Sequence, residues 1–340
     1  MTLTDFIDQM PKAELHVHLE GSIRPETLLT LARRHDIALP ATSVEGIRDW
    51  YRFTDFPHFV EIYMQISECL RTPDDIELIA REFLTGQAAQ NIRYSEVTYT
   101  PYTHYWQKHT PFADQLAALS SARRWGEETL GARMNLVLDI PRQMPTEAGD
   151  LTVEWALGAQ GDGVVALGLG GYEVGYPPQL FAAAFARATE AGLPCVPHAG
   201  ETEGPASIWS ALGTANAVRI GHGVRCLEDP ALVAELRDRQ IPLEVCPTSN
   251  VCLGVVPDIA AHPLPRLIEE GLIITIGSDD PPLFNTTLTA EYHTIAKTFG
   301  YGTRDIEHLV MNGVNASLLG EEEKAELATA VQAEFAAMAP

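Results

Sequence analysis

The chain is short of basic residues, of cysteine and of long apolar runs, and each shortage removes a class of function. Lysine and arginine number 23 against 46 aspartates and glutamates, a formal net charge of −23 at pH 7. Such a surface repels nucleic-acid phosphates and anionic lipid headgroups, so neither partner is expected. The five cysteines (Cys69, Cys195, Cys226, Cys246 and Cys252) are scattered without a C-x-x-C. Reduced thiols and a cytoplasmic setting are the expectation. Met1 to Pro11 carries Asp5 and Asp8 and no apolar core, so no signal peptide is expected. No run of 18 apolar residues occurs, which leaves no expected membrane span. Nor is there a dinucleotide fingerprint. Gly168-Leu169-Gly170-Gly171 runs into Glu173 where a third glycine is required.

What is present is an ordinary globular composition, 46% hydrophobic, in 340 residues without internal repeats, low-complexity tracts or a long linker. One domain over residues 1–340 is expected. Short apolar segments alternate with helix-period segments throughout. The spacing predicts strands at 13–18, 92–100, 134–140, 164–169, 193–198, 217–221, 243–246 and 273–276. Helices are expected at Pro25–Arg34, across Trp50–Cys69, from a Thr72 cap with Pro73 at the first position, and at 180–191, 206–212, 232–239 and 264–269. Further helices run from Thr287 to the end. Eight buried parallel strands separated by helices read as an α/β fold, a (β/α)8 barrel with extra helices after the first strand and at the C-terminus.

The polar residues concentrate at strand ends. The first strand closes on His16-Val17-His18, two imidazoles that project to one side about 7 Å apart along the strand. An isolated pair of this kind can equally be two hydrogen-bonded core histidines. Three further strands end in the same manner, with His198-Ala199-Gly200-Glu201, Gly221-His222-Gly223 and Ser278-Asp279-Asp280-Pro281. In a barrel all these ends surround one mouth, where barrel enzymes carry their chemistry. His16, His18, His198 and Asp279 make a ligand set for one zinc ion with a position left for water, whose pKa zinc lowers towards neutrality. His222 is expected to orient that water and take up its proton, with Asp279 sharing the work. Glu201 is placed as a general acid for a ring nitrogen or leaving group, and Asp280 as a substrate hydrogen-bonding group. Asp280 before Pro281 can also serve as a helix N-cap. Cys195 and Cys246 read as packed thiols.

Taken together, Pro11-Lys12-Ala13-Glu14-Leu15-His16-Val17-His18-Leu19-Glu20-Gly21, His198-Ala199-Gly200-Glu201, Gly221-His222-Gly223, Glu244-Val245-Cys246-Pro247-Thr248-Ser249-Asn250 and Ser278-Asp279-Asp280-Pro281 resemble the signatures of the adenosine deaminase family, in the family's order. The resemblance implies a one-zinc barrel and hydrolytic deamination of a 6-aminopurine nucleoside, adenosine or 2′-deoxyadenosine first. It implies that Glu201 protonates N1, that Asp280 contacts N7, that the Gly171 N–H faces N3, and that His222 assists the attacking hydroxide. It further implies an apolar lid near Phe53, Phe56 and Phe59, and a sugar contact from position 20. Here that position is Glu20, where adenosine-specific members usually carry aspartate. Thr98, the run Asp139-Ile140-Pro141-Arg142 and the run Gly168-Leu169-Gly170-Gly171-Tyr172-Glu173 also depart from the adenosine pattern. They are similar to branches acting on 6-amino-6-deoxyfutalosine of menaquinone synthesis, with adenine a third option. Arg142 or Arg52 is the expected partner of that substrate's benzoate. The H-x-E and P-C-x-x-C pattern of the unrelated cytidine deaminases is absent.

Overall fold

The computed structural model describes residues 1–338; the last two residues of the expected 1–340 domain lie outside the described residues. Eight strands succeed one another as β1 (Lys12–His18), β2 (Ile92–Tyr99), β3 (Arg133–Pro141), β4 (Val164–Gly170), β5 (Cys195–Ala199), β6 (Ile220–His222), β7 (Leu243–Val245) and β8 (Ile274–Ile276). Each pairs in parallel with the next, in sequence order. The wall closes just beyond β8. Val17 bridges Asp279, the His18 N–H donates to the Asp279 carbonyl at 2.9 Å, and the Asp279 N–H donates to the His16 carbonyl at 3.1 Å. This is the expected barrel, and its closing bonds come from the very residues that carry the candidate ligands.

The strands are apolar because both faces are covered. Leu136, Leu138 and Ile140 of β3 are fully buried, and the helices lay a second apolar layer outside the wall, from Leu28, Ile62, Ile79 and Leu119 on one half to Ile208, Leu232, Leu264 and Val310 on the other. The expected extra helices are present. Pro25–Arg34, Val44–Trp50, Phe56–Glu68 and Pro73–Ala89 precede β2, and Leu288–Phe299, Thr303–Ala316 and Glu321–Met338 close the described chain. Thr72 caps its helix as expected, its hydroxyl accepting the Asp75 N–H.

One expectation needs correction. The aromatic stretch from Trp50 to Cys69 is not a continuous helix but breaks over 51–55. Asp55 restarts it by accepting the His58 N–H at 2.9 Å, and Pro57, which has no N–H to give, sits in the new first turn. The break lays Phe56–Glu68 across the barrel mouth. Helices Pro101–Lys108, Phe112–Leu130 and Glu147–Gly158 follow β2 and β3, where the sequence reading had named none.

Candidate active site

At the mouth, His16, His18, His198 and Asp279 each offer one ligand atom, and these atoms all lie within 4.8 Å of one another. His18 Nε2 is 3.2 Å from His198 Nε2 and 3.3 Å from Asp279 Oδ1, while His16 Nε2 is 3.5 Å from that oxygen. The far nitrogens are spoken for. His198 Nδ1 donates to the Leu169 carbonyl at 3.1 Å, and His16 Nδ1 donates to Glu244 at 2.9 Å. Both rings therefore turn a bare Nε2 lone pair inward, and that of His16 is buried with no hydrogen-bond partner. Converging lone pairs beside a carboxylate fit a divalent cation and nothing that lacks positive charge. The electrostatics agree. Burial disfavours charge at His16 and His18, yet the neighbouring carboxylates, Asp279 and Glu244 for His16 and Asp280 and Asp279 for His18, outweigh it and draw the two up to about 10 and about 9, so positive charge is favoured at these nitrogens. A second group, His222, Cys246 and Asp279, is as closely spaced. Burial holds the Cys246 thiol well above its ordinary pKa, so the three histidines and Asp279 are the better set.

Behind His16 an ionic chain runs through the barrel. Glu244 accepts from Arg219 Nε at 2.6 Å, and Arg219 Nη2 reaches Glu96 at 2.5 Å. Asp279 is fixed by the Ser249 hydroxyl at 2.6 Å. Asp279 (φ 62°) and His222 (φ 61°) both hold left-handed backbone, a strain of the kind kept at functional sites.

His222 and Glu201 face this cluster, with His222 Nε2 3.6 Å from Glu201 and 3.8 Å from Asp279. The His222 tautomer can be traced from a backbone donor. The Leu264 N–H donates to His262 Nδ1 at 3.0 Å, so His262 carries its proton on Nε2 and donates to Asn250 Oδ1 at 3.1 Å. The Asn250 amide then donates to His222 Nδ1 at 3.3 Å, which leaves the His222 proton on Nε2, towards Glu201 and Asp279. Burial and His16 keep the ring neutral, its pKa down to about 4. In this arrangement His222 faces the cavity with its Nε2–H as a donor.

Glu201 is buried, and burial with the charges of Asp279 and Glu173 holds its carboxyl well above the usual range. Its loop is gripped by Glu173, which accepts the backbone N–H groups of Gly200, Glu201, Thr202 and Glu203. Asp280 heads the short helix Pro281–Phe284 but makes no side-chain cap bond, and its Oδ1 has no partner. The close approach of its carboxyl to the chain at Gly21, where a Cβ would meet Asp280 Oδ1 at 1.6 Å, requires glycine there.

A cavity open to solvent joins these groups to Gly171, Asp139, Gln143, Thr100 and Thr103 under a wall of Phe56, Phe59, Val60, Tyr63, Met64 and Leu253. Phe53 backs the wall, 5.3 Å from Phe59 between ring centroids. Three expectations at the sugar end fail. Glu20 is buried outside the lining, its carboxylate taken by the Thr100 N–H at 3.1 Å, His104 at 3.0 Å and the Tyr63 hydroxyl at 3.3 Å. Arg142 is fully buried behind β5, donating to the His198 and Tyr176 carbonyls. Arg52 is on the surface beside Asp49.

The sequence reading missed Glu173, Gln143 and the Asn250–His262 relay, and it saw Glu244 only as part of a motif. The one signal Glu244 offered was a lone carboxylate inside an apolar strand.

The adenosine deaminase family model matches residues 11–334. The chain is 40% identical to an aminodeoxyfutalosine deaminase of Streptomyces avermitilis, over 98% of this chain and 94% of that protein. It is 39% identical to an adenine deaminase of Bordetella parapertussis, over 93% and 99%. The crystal structure of an adenine deaminase from Arthrobacter aurescens superimposes with a TM-score of 0.90 at 33% identity, over 96% of this chain and 99% of that one. Family match, barrel and converging ligand set together establish that the chain belongs to the adenosine deaminase family and is one of its metal-dependent hydrolases.

Proposed function

We propose that the protein is a zinc-dependent deaminase of 6-amino-6-deoxyfutalosine, a 6-aminopurine nucleoside with an aryl group at its 5′ end, releasing ammonia and the 6-oxopurine. The observation that carries the choice of substrate is the 40% identity to the Streptomyces avermitilis aminodeoxyfutalosine deaminase across 98% of the chain. On that ground we prefer aminodeoxyfutalosine to adenosine and 2′-deoxyadenosine, the first expectation from sequence. The cavity supports the reading in kind. Its apolar wall suits a purine and an aryl ring, and no lysine or arginine is among its described lining residues, which disfavours a nucleotide phosphate. With Arg142 and Arg52 turned elsewhere, the benzoate carboxylate meets solvent at the mouth.

His16, His18, His198 and Asp279 would hold the zinc. Bound there, zinc supplies hydrolytic power by lowering the pKa of a coordinated water. The remaining roles belong to the chain's own groups. Glu201, kept protonated, delivers its proton to N1 and so makes C6 electrophilic. Asp280, also kept protonated by burial and the adjacent charge of Asp279, donates to N7. The Gly171 N–H completes the set at N3. His222 donates from Nε2 and steadies developing negative charge, and Asp279 is the carboxylate that stays ionised to accept a proton. The same reading sets the enzyme in the cytoplasm, where its five unpaired thiols stay reduced.

Adenine is the second reading, favoured by the Bordetella relative. An ammonia-release screen of the zinc-loaded enzyme on aminodeoxyfutalosine, adenosine, 2′-deoxyadenosine and adenine separates them. The highest kcat/KM is expected for aminodeoxyfutalosine. Turnover of adenine with rejection of every nucleoside would overturn the proposal.

A further inference from the structure

Two acceptors at the end of β3 are left without partners by everything described so far. Asp139 is 3% exposed, and its carboxylate accepts no hydrogen bond from any described residue; Oδ1 is wholly enclosed. Four residues on, Gln143 has a buried Oε1 that is equally unpartnered. Both side chains line the cavity. Uncompensated burial of a carboxylate and an amide oxygen is costly, and native proteins seldom leave such groups idle.

The neighbouring strand is cut away to admit them. A Cβ at Gly168 would lie 2.3 Å from Asp139 Oδ1, one at Gly170 would lie 2.2 Å from Asp139 Oδ2, and one at Gly171 would lie 2.3 Å from Gln143 Oε1. Any side chain at these positions would push the two acceptors aside. The glycine strip that fails as a dinucleotide fingerprint thus forms a cradle for them.

We propose that Asp139 and Gln143 form the sugar subsite, accepting hydrogen bonds from the ribose hydroxyls of the nucleoside. The inference rests on the nucleoside reading above. Its placement follows from purine chemistry. With the Gly171 N–H at N3, the glycosidic N9 is the next ring nitrogen, one carbon away. A sugar on N9 therefore emerges beside Gly171, against the side chain that packs on that residue. Vicinal hydroxyls are donors in need of acceptors, and a carboxylate paired with an amide oxygen supplies them. Glu20, the residue first expected to serve the sugar, lies outside the lining and accepts from Thr100, His104 and Tyr63.

The test crosses enzyme variants with substrate analogues. Zinc-loaded wild type, Asp139→Ala and Gln143→Ala are compared on adenosine, 2′-deoxyadenosine, 3′-deoxyadenosine and aminodeoxyfutalosine, with inhibition by inosine and hypoxanthine as a readout independent of turnover. Removing a charged acceptor of a substrate hydroxyl costs about 10- to 100-fold in kcat/KM. Asp139→Ala is expected to lose that much on the ribonucleosides, with a loss at least fivefold smaller on one deoxy analogue. Its affinity should fall for inosine more than for hypoxanthine. Thermal stability should hold or rise, because a buried unpaired carboxylate has gone. An equal loss on all nucleosides, or equal weakening of inosine and hypoxanthine, would overturn the subsite and leave the deamination reading intact. Wild type that rejects every nucleoside would overturn both.

Discussion

Glu173→Gln tests how the loop of Glu201, the proposed acid, is held. The Glu173 Oε2 accepts from the N–H groups of Glu201 (3.2 Å), Thr202 (2.8 Å) and Glu203 (2.8 Å) and from the Thr202 hydroxyl (3.2 Å), while Oε1 accepts the Gly200 N–H. Hydrogen bonds to a charged acceptor contribute about 1.5–3 kcal/mol each, roughly twice a neutral one. A glutamine offers one oxygen and an amide that is itself a donor. With that oxygen at the Oε2 position, the Gly200 N–H meets another donor and the three remaining backbone bonds fall to neutral strength. The loss is roughly 4 kcal/mol after the Thr202 hydroxyl turns to solvent.

Unfolding entropy for a chain of this length is about 0.7 kcal/mol/K, so the melting temperature should drop by about 6 °C. The loosened loop also misplaces Glu201, and an error of one ångström at a reacting group costs about 10²-fold. The expected result is kcat down about 100-fold with KM changed less than about threefold, because the proposed donors at Gly171 and Asp280 stay in place. Glu173→Asp, which keeps the charge, should recover part of both losses. Calorimetry and an ammonia-release assay measure them. A melting shift under about 1 °C with kcat within about twofold would refute the clamp.

Five other outcomes follow from the same geometry. Glu201→Gln should keep the fold and metal uptake while kcat falls by about 10²–10⁴-fold; retained turnover would remove its role as acid. Asn250→Asp presents an acceptor to His222 Nδ1 and so forces the other tautomer, with a loss of about 10²–10⁴-fold in kcat and little change in KM, read by steady-state kinetics. Chelation should abolish activity and lower the melting temperature until zinc is restored, and Glu244→Gln should weaken zinc about 10- to 100-fold in a chelator competition. Burial lowers Lys12 from 10.5 to about 8. Between those values the unfolded chain keeps a proton that the fold has released, so this lysine favours the folded state as pH rises. The stability of wild type relative to Lys12→Met should therefore climb by up to about 1.4 kcal/mol per pH unit across that window, measured by denaturant unfolding.

The barrel was legible because parallel strands buried on both faces leave a run of apolar residues in the sequence, and each run here breaks into glycine, proline or a charge where it reaches the mouth. The ligand set was legible for the same reason: a histidine or aspartate at the end of such a run stands out. Groups that act through backbone atoms leave no such trace. Glu173 grips four amides, and the His262 tautomer is set by the Leu264 N–H, neither of which depends on residue spacing. Arg142 was misread because an arginine after a strand looks free to meet an anion. Its position two residues past Ile140 turns it inward instead, where it caps carbonyls behind the metal site. Glu20 was misread because a motif fixes which residue stands there but not what surrounds it. His104, Tyr63 and Thr100, distant in sequence, consume its carboxylate.

The most instructive pair is Asp279 and Asp280, adjacent and chemically identical on paper. Burial raises the pKa of both, but His16 and His18, 3.5 and 3.3 Å from Asp279 Oδ1, hold Asp279 well below the usual carboxylate range. At Asp280 burial and the charge of Asp279 outweigh the attraction of His18 and hold the carboxyl well above that range. One neighbour therefore stays ionised and the other stays protonated, and the division is what the proposed chemistry needs. The purine presents N1, N3 and N7, all acceptors, so its three partners must all be donors. A protonated Glu201, a protonated Asp280 and the Gly171 N–H meet that condition, whereas a carboxylate at any of the three would repel the ring. Environments that push like groups apart in this way divide acid from base within one site. In the proposed chemistry Asp279 is thus the acceptor, and Glu201 and Asp280 are the donors beside it.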